Sequence, residues 1–311
     1  MRLIKRADAL LEGYRPGKME RLGLGPAECL KQNRLLVYGR MTGWGQEGPY
    51  APLAGHDVNY IALAGALGLI GRRGEAPAIP LNLVGDYGGG AMFLSLGILA
   101  ALIETKMSGL GQVIDAAMID GVSSMLTAFH AMKAQGRLVD ERGANTLDSG
   151  APHYNVYRTA DGKWITIGAI EPQFYGTLRK HLELDDPIWD DRQDRSLWPE
   201  KVAILERIFA SKTRQQWCDD LEGLSACFAP VLSLDEVPEH PHHIARKSFV
   251  QRDGLAVPAP APRFSRTPSR ISDSAAPAGA AGMDILTDIG VLQDEIEQLI
   301  ALGAYAPGDG A

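Results

Sequence analysis

Residues 83–104 constrain this chain more than any other stretch. Leu83-Val84-Gly85-Asp86-Tyr87-Gly88-Gly89-Gly90 is followed by an apolar run, residues 91–103, without a strong polar face. A helix that is hydrophobic all round needs cover on every side, so the run predicts a buried helix inside a layered fold. It is shorter than the roughly 20 apolar residues that span a bilayer. Around it the elements alternate. Leu35-Leu36-Val37-Tyr38 and Gly111-Gln112-Val113-Ile114-Asp115 read as strands, and 58–69 and 116–134 as helices. Asp57 stands at the start of the first helix, where a carboxylate suits the unpaired N–H groups. This alternation predicts an α/β fold, a parallel sheet covered by helices.

From about residue 150 the pattern changes. Asn155-Val156-Tyr157-Arg158 and Trp164-Ile165-Thr166-Ile167 flank Asp161-Gly162, a hairpin signal. Pro172, just after Glu171, fits the first turn of a helix. Residues 199–211 read as an amphipathic helix, and Thr213 is placed to cap the next one. These describe a smaller α+β domain, residues 151–264, beside a larger domain made of 1–150 and 265–311. Pro258, Pro260 and Pro262 make 257–262 an extended linker. The Ala/Pro/Gly-rich stretch 274–282 reads as a mobile loop. Residues 294–302 read as a terminal helix that Gly303 ends.

Composition removes several functions. The 311 residues suffice for two sizeable cores. With 38 acidic against 31 basic residues the net charge is −7, which argues against a nucleic-acid binder and its basic patch. Cys29, Cys218 and Cys227 show no C-x-x-C spacing, so a reducing compartment and no structural zinc are expected. No apolar run of signal length follows the basic start, and Gly308-Asp309-Gly310-Ala311 is not a peroxisomal tripeptide. The expected location is cytoplasmic. Nucleophile-elbow, P-loop and zinc-helix motifs are missing. Gly23-Leu24-Gly25 lacks the third glycine and the preceding strand of a dinucleotide loop. His240, His242 and His243 lie among prolines and read as a solvated loop in preference to a metal site.

Two short segments carry chemistry: Gly55-His56-Asp57-Val58-Asn59-Tyr60 and the turn around Gly85-Asp86. An acid between glycines is either a helix cap or a place where a ligand can approach the backbone closely. A histidine at a helix start is either satisfied locally or a base. Spacing alone does not bring His56 and Asp86 together.

Arg40-Met41-Thr42-Gly43-Trp44-Gly45-Gln46-Glu47-Gly48-Pro49 followed by Ala54-Gly55-His56-Asp57-Val58-Asn59-Tyr60 resembles the α-methylacyl-CoA racemase family, within the CaiB/BaiF-like family III CoA-transferases. So do Asn82-Leu83-Val84-Gly85-Asp86-Tyr87-Gly88-Gly89-Gly90 and Gly168-Ala169-Ile170-Glu171-Pro172-Gln173-Phe174-Tyr175. Gly111-Gln112-Val113-Ile114-Asp115, Pro262-Arg263-Phe264-Ser265-Arg266-Thr267-Pro268 and Leu286-Thr287-Asp288-Ile289-Gly290 are similar to the wider superfamily, so the resemblance covers nearly the whole chain. It implies a Rossmann-like large domain and a smaller α+β domain in an interlocked homodimer. Members usually begin with a strand and helix upstream of Met1. The expectation is therefore a shortened chain without the first strand, its glycine-rich turn and part of the nucleotide pocket.

The same resemblance implies a mechanism. His56 and Asp86 move the α-proton of a 2-methylacyl-CoA from one face to the other through an enolate. Two-base chemistry suits a histidine and a carboxylate, because surroundings can poise both near neutral pH. Glu171, from the opposite subunit, orients His56, and the Asp57 N–H faces the enolate oxygen. Arg15 and Arg21 contact CoA. Tyr60 and Asn82 line the acyl–pantetheine path, with Gly85 allowing close approach. No cofactor is implied, since CoA belongs to the substrate. Two alternatives stay open: a family III CoA-transferase in which Asp57 is the nucleophile, and an inactive subunit that only binds CoA or a partner.

Overall fold

In a computed structural model, β1 (Ala9–Glu12), β2 (Val37–Thr42) and β3 (Val113–Ala117) run parallel in the order β1-β2-β3. Their register sets Glu12 beside Arg40 and Arg40 beside Asp115, a charged row near the C-terminal ends of the strands. The structure describes residues 1–271 and 279–307. The 308–311 terminus and most of the expected mobile loop, at 274–278, lie outside them. The chain divides into two compact units, Met1–Val231 and Leu232–Ala311.

Between β1 and β2 come α1 (Lys18–Arg21) and α2 (Pro26–Gln32). Pro26 stands in the first turn of α2, where its missing N–H costs nothing. Cys29 of α2 is buried with Ile4, Leu36 and Tyr38. Between β2 and β3 come α3 (Asp57–Leu63), α4 (Ala66–Leu69), a π-helical segment Leu83–Ala91 and α5 (Met92–Ser108). The helix expected over 58–69 is thus two helices. Gly65, at φ +89°, leaves the right-handed region and breaks it. Gly88, Gly89 and Gly90 do not precede the long helix but lie inside its π-helical start. The expected helix 116–134 also divides, into α6 (Met118–Met125) and α7 (Thr127–Ala134), after β3 has taken Ala116 and Ala117. The backbone of α6 meets the π segment without side chains between them. A Cβ added to Gly121 would stand 1.9 Å from the Gly89 carbonyl oxygen, and one added to Gly89 would stand 2.6 Å from Val122 Cγ2.

The long helix is not buried as its composition predicts. One face packs on the sheet, where Leu94 and Ile98 close on Gly39 of β2 and Gly97 lies against Ile114 of β3. Leu94, Ala101 and Thr105 are buried, but Leu96, Leu99 and Ile103 are 61–67% exposed. The reason is geometric. A helix with a single neighbouring layer buries one stripe, and the apolarity of the remaining stripes does not cover them. Together with the π segment the helix spans Leu83–Ser108, 26 residues that include an 18-residue window of mean hydropathy 1.5. By length and composition that suffices to cross a membrane, whereas the run 91–103 counts only its middle.

The rest of the first unit is the α+β region. β4 (Tyr154–Arg158), β5 (Trp164–Gly168) and β6 (Phe228–Pro230) form an antiparallel sheet in the order β4-β5-β6. Gly162 makes the expected hairpin turn at φ +75°. α8 (Pro172–His181), α9 (Trp198–Phe209) and α10 (Arg214–Leu221) accompany this sheet. Thr213 is an N-cap as expected, and Glu171 stands at the N-cap position of α8 without a side-chain cap bond. Thr213 and Gln216 bond reciprocally, N–H to side-chain oxygen, at 3.2 and 2.8 Å. Tyr157, Ile165, Phe209 and Trp217 belong to one continuous buried cluster.

In the second unit are α11 (Pro241–Arg246), β7 (Phe249–Arg252), β8 (Leu255–Pro258), α12 (Gly282–Asp288) and α13 (Gln293–Ala301). The histidine cluster is a helix start, not a loop: His240 Nδ1 accepts the His242 N–H at 3.3 Å. The expected linker 257–262 begins as strand. β8 pairs antiparallel with β7, and Pro258 occupies its last position, where proline is tolerated. Gly303, at φ +65°, follows α13 as expected.

Candidate active site

A cavity of about 320 Å³ opens beyond the C-terminal ends of β1 and β2. Parallel α/β sheets gather ligands at such ends. Its walls are the loop after β1 (Gly13, Tyr14, Arg15, Pro16), the turn after β2 (Thr42, Gly43, Trp44), and His56 and Tyr60. Tyr60 is buried, and its hydroxyl donates to the Gly55 carbonyl. Its ring stands edge-on to Trp44, centroids 4.7 Å apart. Only glycine fits beside it, since a Cβ on Gly43 would lie 2.0 Å from the ring. Burial, and then the charge of Asp86, hold the Tyr60 hydroxyl pKa above the usual tyrosine value. The buried Trp44 Nε1 has no hydrogen-bond partner among the described residues.

His56 is the N-cap of α3 and is exposed, with its backbone N–H donating to Asn59 Oδ1 at 3.1 Å. Asp57, the first residue of the helix, is buried. Its Oδ2 accepts the backbone N–H groups of Gly85 at 2.6 Å and Asp86 at 2.8 Å. Those two donors belong to the first turn of the π segment, where no intrahelical acceptor reaches them. Gly85 is required by this contact, since a Cβ there would sit 2.5 Å from Asp57 Oδ2. One carboxylate therefore ties the residue after His56 to the backbone of Asp86, joining segments that sequence spacing left apart. Asp57 Oδ1 is buried without a partner among the described residues. The half-buried Asp86 carboxylate accepts from Asn82 Nδ2 at 3.1 Å.

The other expected residues are distributed unevenly. Arg15 lines the cavity. Arg21 does not; it is exposed at the end of α1, with Nη1 3.1 Å from the position of a Cβ on Gly17. Glu171 is an exposed N-cap whose charge, after burial, helps push up the Cys227 thiol. No hydrogen bond joins it to His56 among the described residues. Burial raises all three thiols, Cys218 to about 11, so none is primed as a thiolate. Among the described residues no group of three His, Cys, Asp or Glu side chains could hold a metal ion.

A second, mostly apolar cavity of about 260 Å³ is lined by Val84 of the π segment and by Met125, Leu126, Phe129 and Met132 among others. Sequence reasoning missed this cavity, the carboxylate contact of Asp57, and two buried charges beneath the Arg15 loop, Glu12 and Arg40. An ionisable residue inside an apolar strand was the available signal for the last two.

Comparison with known proteins finds similar chains. Residues 1–282 match CoA-transferase family III. The chain is 44% identical over 301 residues to the alpha-methylacyl-CoA racemase of Mus musculus, covering 96% of this chain and 79% of the mouse protein. It is 43% identical over 300 residues to the human protein of the same name, covering 96% and 78%. A CAIB/BAIF family protein from Brucella suis shares the fold, with TM-score 0.79 at 23% identity over 93% of this chain and 77% of that one.

Proposed function

Because the chain belongs to CoA-transferase family III, we propose that it inverts the α-carbon of 2-methylacyl-CoA thioesters by two-base proton transfer. Relatives of 43–44% identity that carry the racemase name support this reading over others in the family. The observation that carries it within the site is the contact of Asp57. A transferase would need that carboxylate free to attack an acyl-CoA. Here it is buried, with Oδ2 committed to two backbone donors and only the buried Oδ1 unpartnered among the described residues. Two other groups, His56 and Asp86, stand on the segments that this contact joins.

In the proposed reaction His56 takes the α-proton, and the C–H electron pair moves into the thioester to give an enolate. The backbone N–H of Asp57 faces the enolate oxygen, a donor fixed before the charge develops. Protonated Asp86 returns a proton to the opposite face, and the reverse direction exchanges the two roles. Arg15 meets the anionic part of CoA at the cavity mouth, with Arg21 further along the chain. The apolar cavity beside Val84 suits a branched acyl chain. Glu171 orients His56 from a second subunit of an interlocked homodimer. A cytoplasmic enzyme without an added cofactor completes the proposal.

Alpha-proton exchange tests it. A 2-methylacyl-CoA incubated with the protein in D₂O should gain deuterium at the α-carbon. His56→Ala and Asp86→Ala should each lower exchange by about 10²–10⁴-fold, or confine it to one enantiomer. Undiminished exchange in both folded variants would remove the two-base mechanism. Acyl transfer without exchange would move the chemistry to Asp57.

A further inference from the structure

Beneath the cavity wall that carries Arg15 lies a buried ion pair. Glu12, the last residue of β1, is 6% exposed, and Arg40, in β2, is 8% exposed. Arg40 Nε donates to Glu12 Oε1 at 2.9 Å. The second oxygen of the same carboxylate, Oε2, accepts the backbone N–H of Tyr14 at 2.7 Å. On its other side Arg40 holds Glu20 of α1, with Nη1 to Oε1 at 2.9 Å and Nη2 to Oε2 at 3.3 Å. Arg40 therefore grips both ends of the segment between β1 and α1. The part of that segment between the grips, Gly13 to Pro16, is one wall of the cavity. In the next strand of the same charged row, Asp115 Oδ2 accepts the Gln46 N–H at 3.0 Å, fixing the loop after β2.

A buried ion pair is a weak device for stability, because desolvation offsets most of its attraction. Three strands with few buried side chains would be served as well by apolar residues at these positions. What a charged pair supplies and an apolar pair does not is a direction for particular backbone donors. Here the donor is the N–H of the residue immediately before Arg15.

We propose that Glu12 and Arg40 are positioning residues for substrate. Their ion pair holds the loop 13–16 so that Arg15 meets the anionic part of CoA, and it acts on affinity without taking part in proton transfer. The inference rests on the reading of Arg15 as a CoA contact. The carboxylate is needed because each of its oxygens receives a different donor. Glutamine at position 12 offers one acceptor oxygen, and its NH₂ would face either the Arg40 Nε–H or the Tyr14 N–H, donor against donor.

The experiment measures free CoA binding by calorimetry and deuterium exchange kinetics for Glu12→Gln, Arg15→Ala and the double variant. Glu12→Gln should raise the CoA Kd and the KM for 2-methylacyl-CoA about tenfold and leave kcat within about threefold, the split expected when ground-state and transition-state binding are lost together. In the Arg15→Ala background the same substitution should add at most about twofold, because the two residues act through one contact. Glu20→Gln, on the exposed side of Arg40, should move KM the same way by a smaller factor, and it serves if Glu12→Gln does not fold. A fall in kcat at unchanged KM, additive effects in the double variant, or a lower Tm with unchanged CoA affinity would each overturn the proposal. If Arg15→Ala leaves the CoA Kd unchanged, the reading of Arg15 itself fails. If Arg15→Ala weakens binding and neither glutamate substitution does, the positioning role alone fails.

Discussion

Between β4 and β6 the chain is held by aromatic packing. Phe209 lies with its centroid 5.0 Å from both Tyr157 and Trp217, and the cluster continues through Ile165, Leu178, Leu205 and Leu221. Around β1, β2 and β3 the buried clusters are small, Ile4 with Cys29, Leu36 and Tyr38 in one, Ile61 with Ala66 and Val122 in another. There the organising contacts are polar: Glu12 on Arg40 and Tyr14, and Asp57 on Gly85 and Asp86. The cavity with His56 belongs to the second region. Dense packing gives stability in bulk but is indifferent to the orientation of one N–H group. A directed hydrogen bond contributes less free energy but fixes a direction.

The contrast can be broken in three ways. Phe209→Ala should cost the largest amount, about 3–5 kcal/mol, since a fully buried aromatic leaves a cavity. Urea titration measures this, and a loss under about 1 kcal/mol would show that the aromatic cluster is not the anchor. His153 sharpens the comparison from the acid side. It is 1% exposed, edge-on to Tyr175 and Trp198, with neither ring nitrogen bonded among the described residues. Burial, then the charges of Arg192 and Lys201, bring its pKa down to about 4 from 6.5. The unfolded chain therefore binds the extra proton first. The stabilisation is complete above about pH 6.5 and is lost as pH falls toward 4, a change of at most about 3 kcal/mol. His153→Phe should flatten that slope, and a slope unaltered by the substitution would assign it elsewhere. Smallest in stability is Asp57→Ala, about 0.5–2 kcal/mol for a lost cap on two N–H groups. Its exchange rate should nevertheless fall at least about tenfold at temperatures where the variant is folded, because Asp86 is no longer held. Equal losses in activity and folded fraction would reduce Asp57 to an ordinary cap.

Local signals made much of this molecule legible from sequence. The Asp161-Gly162 hairpin, Pro172 in the first turn of α8 and Thr213 as a cap all follow from residues close in the chain, and the parallel pairing of β2 and β3 follows from the alternation of strands and helices. What was not legible depends on neighbours. The exposure of Leu96, Leu99 and Ile103 is a property of which layers face α5, not of its composition. The division of the helix at Gly65 and the π-helical winding over Gly88–Gly90 are tertiary outcomes of a locally ambiguous sequence. Within the site, motif resemblance pointed to His56 and Asp86. The part of Asp57 in joining them is a contact between distant segments, and no spacing rule encodes it.

The meeting of Gly89 with Gly121 bears on how such a protein can diverge. With a carbonyl oxygen 1.9 Å from where a Cβ would stand, position 121 admits no side chain at all unless the helix moves. Any such movement would be felt at once by Asp86, three residues before Gly89. Side chains are thus barred from this seam, while the neighbouring cavity is lined by residues free to vary in size, Val84, Met125 and Phe129. Constancy of backbone and variation of side chain can then coexist on adjoining segments of one chain.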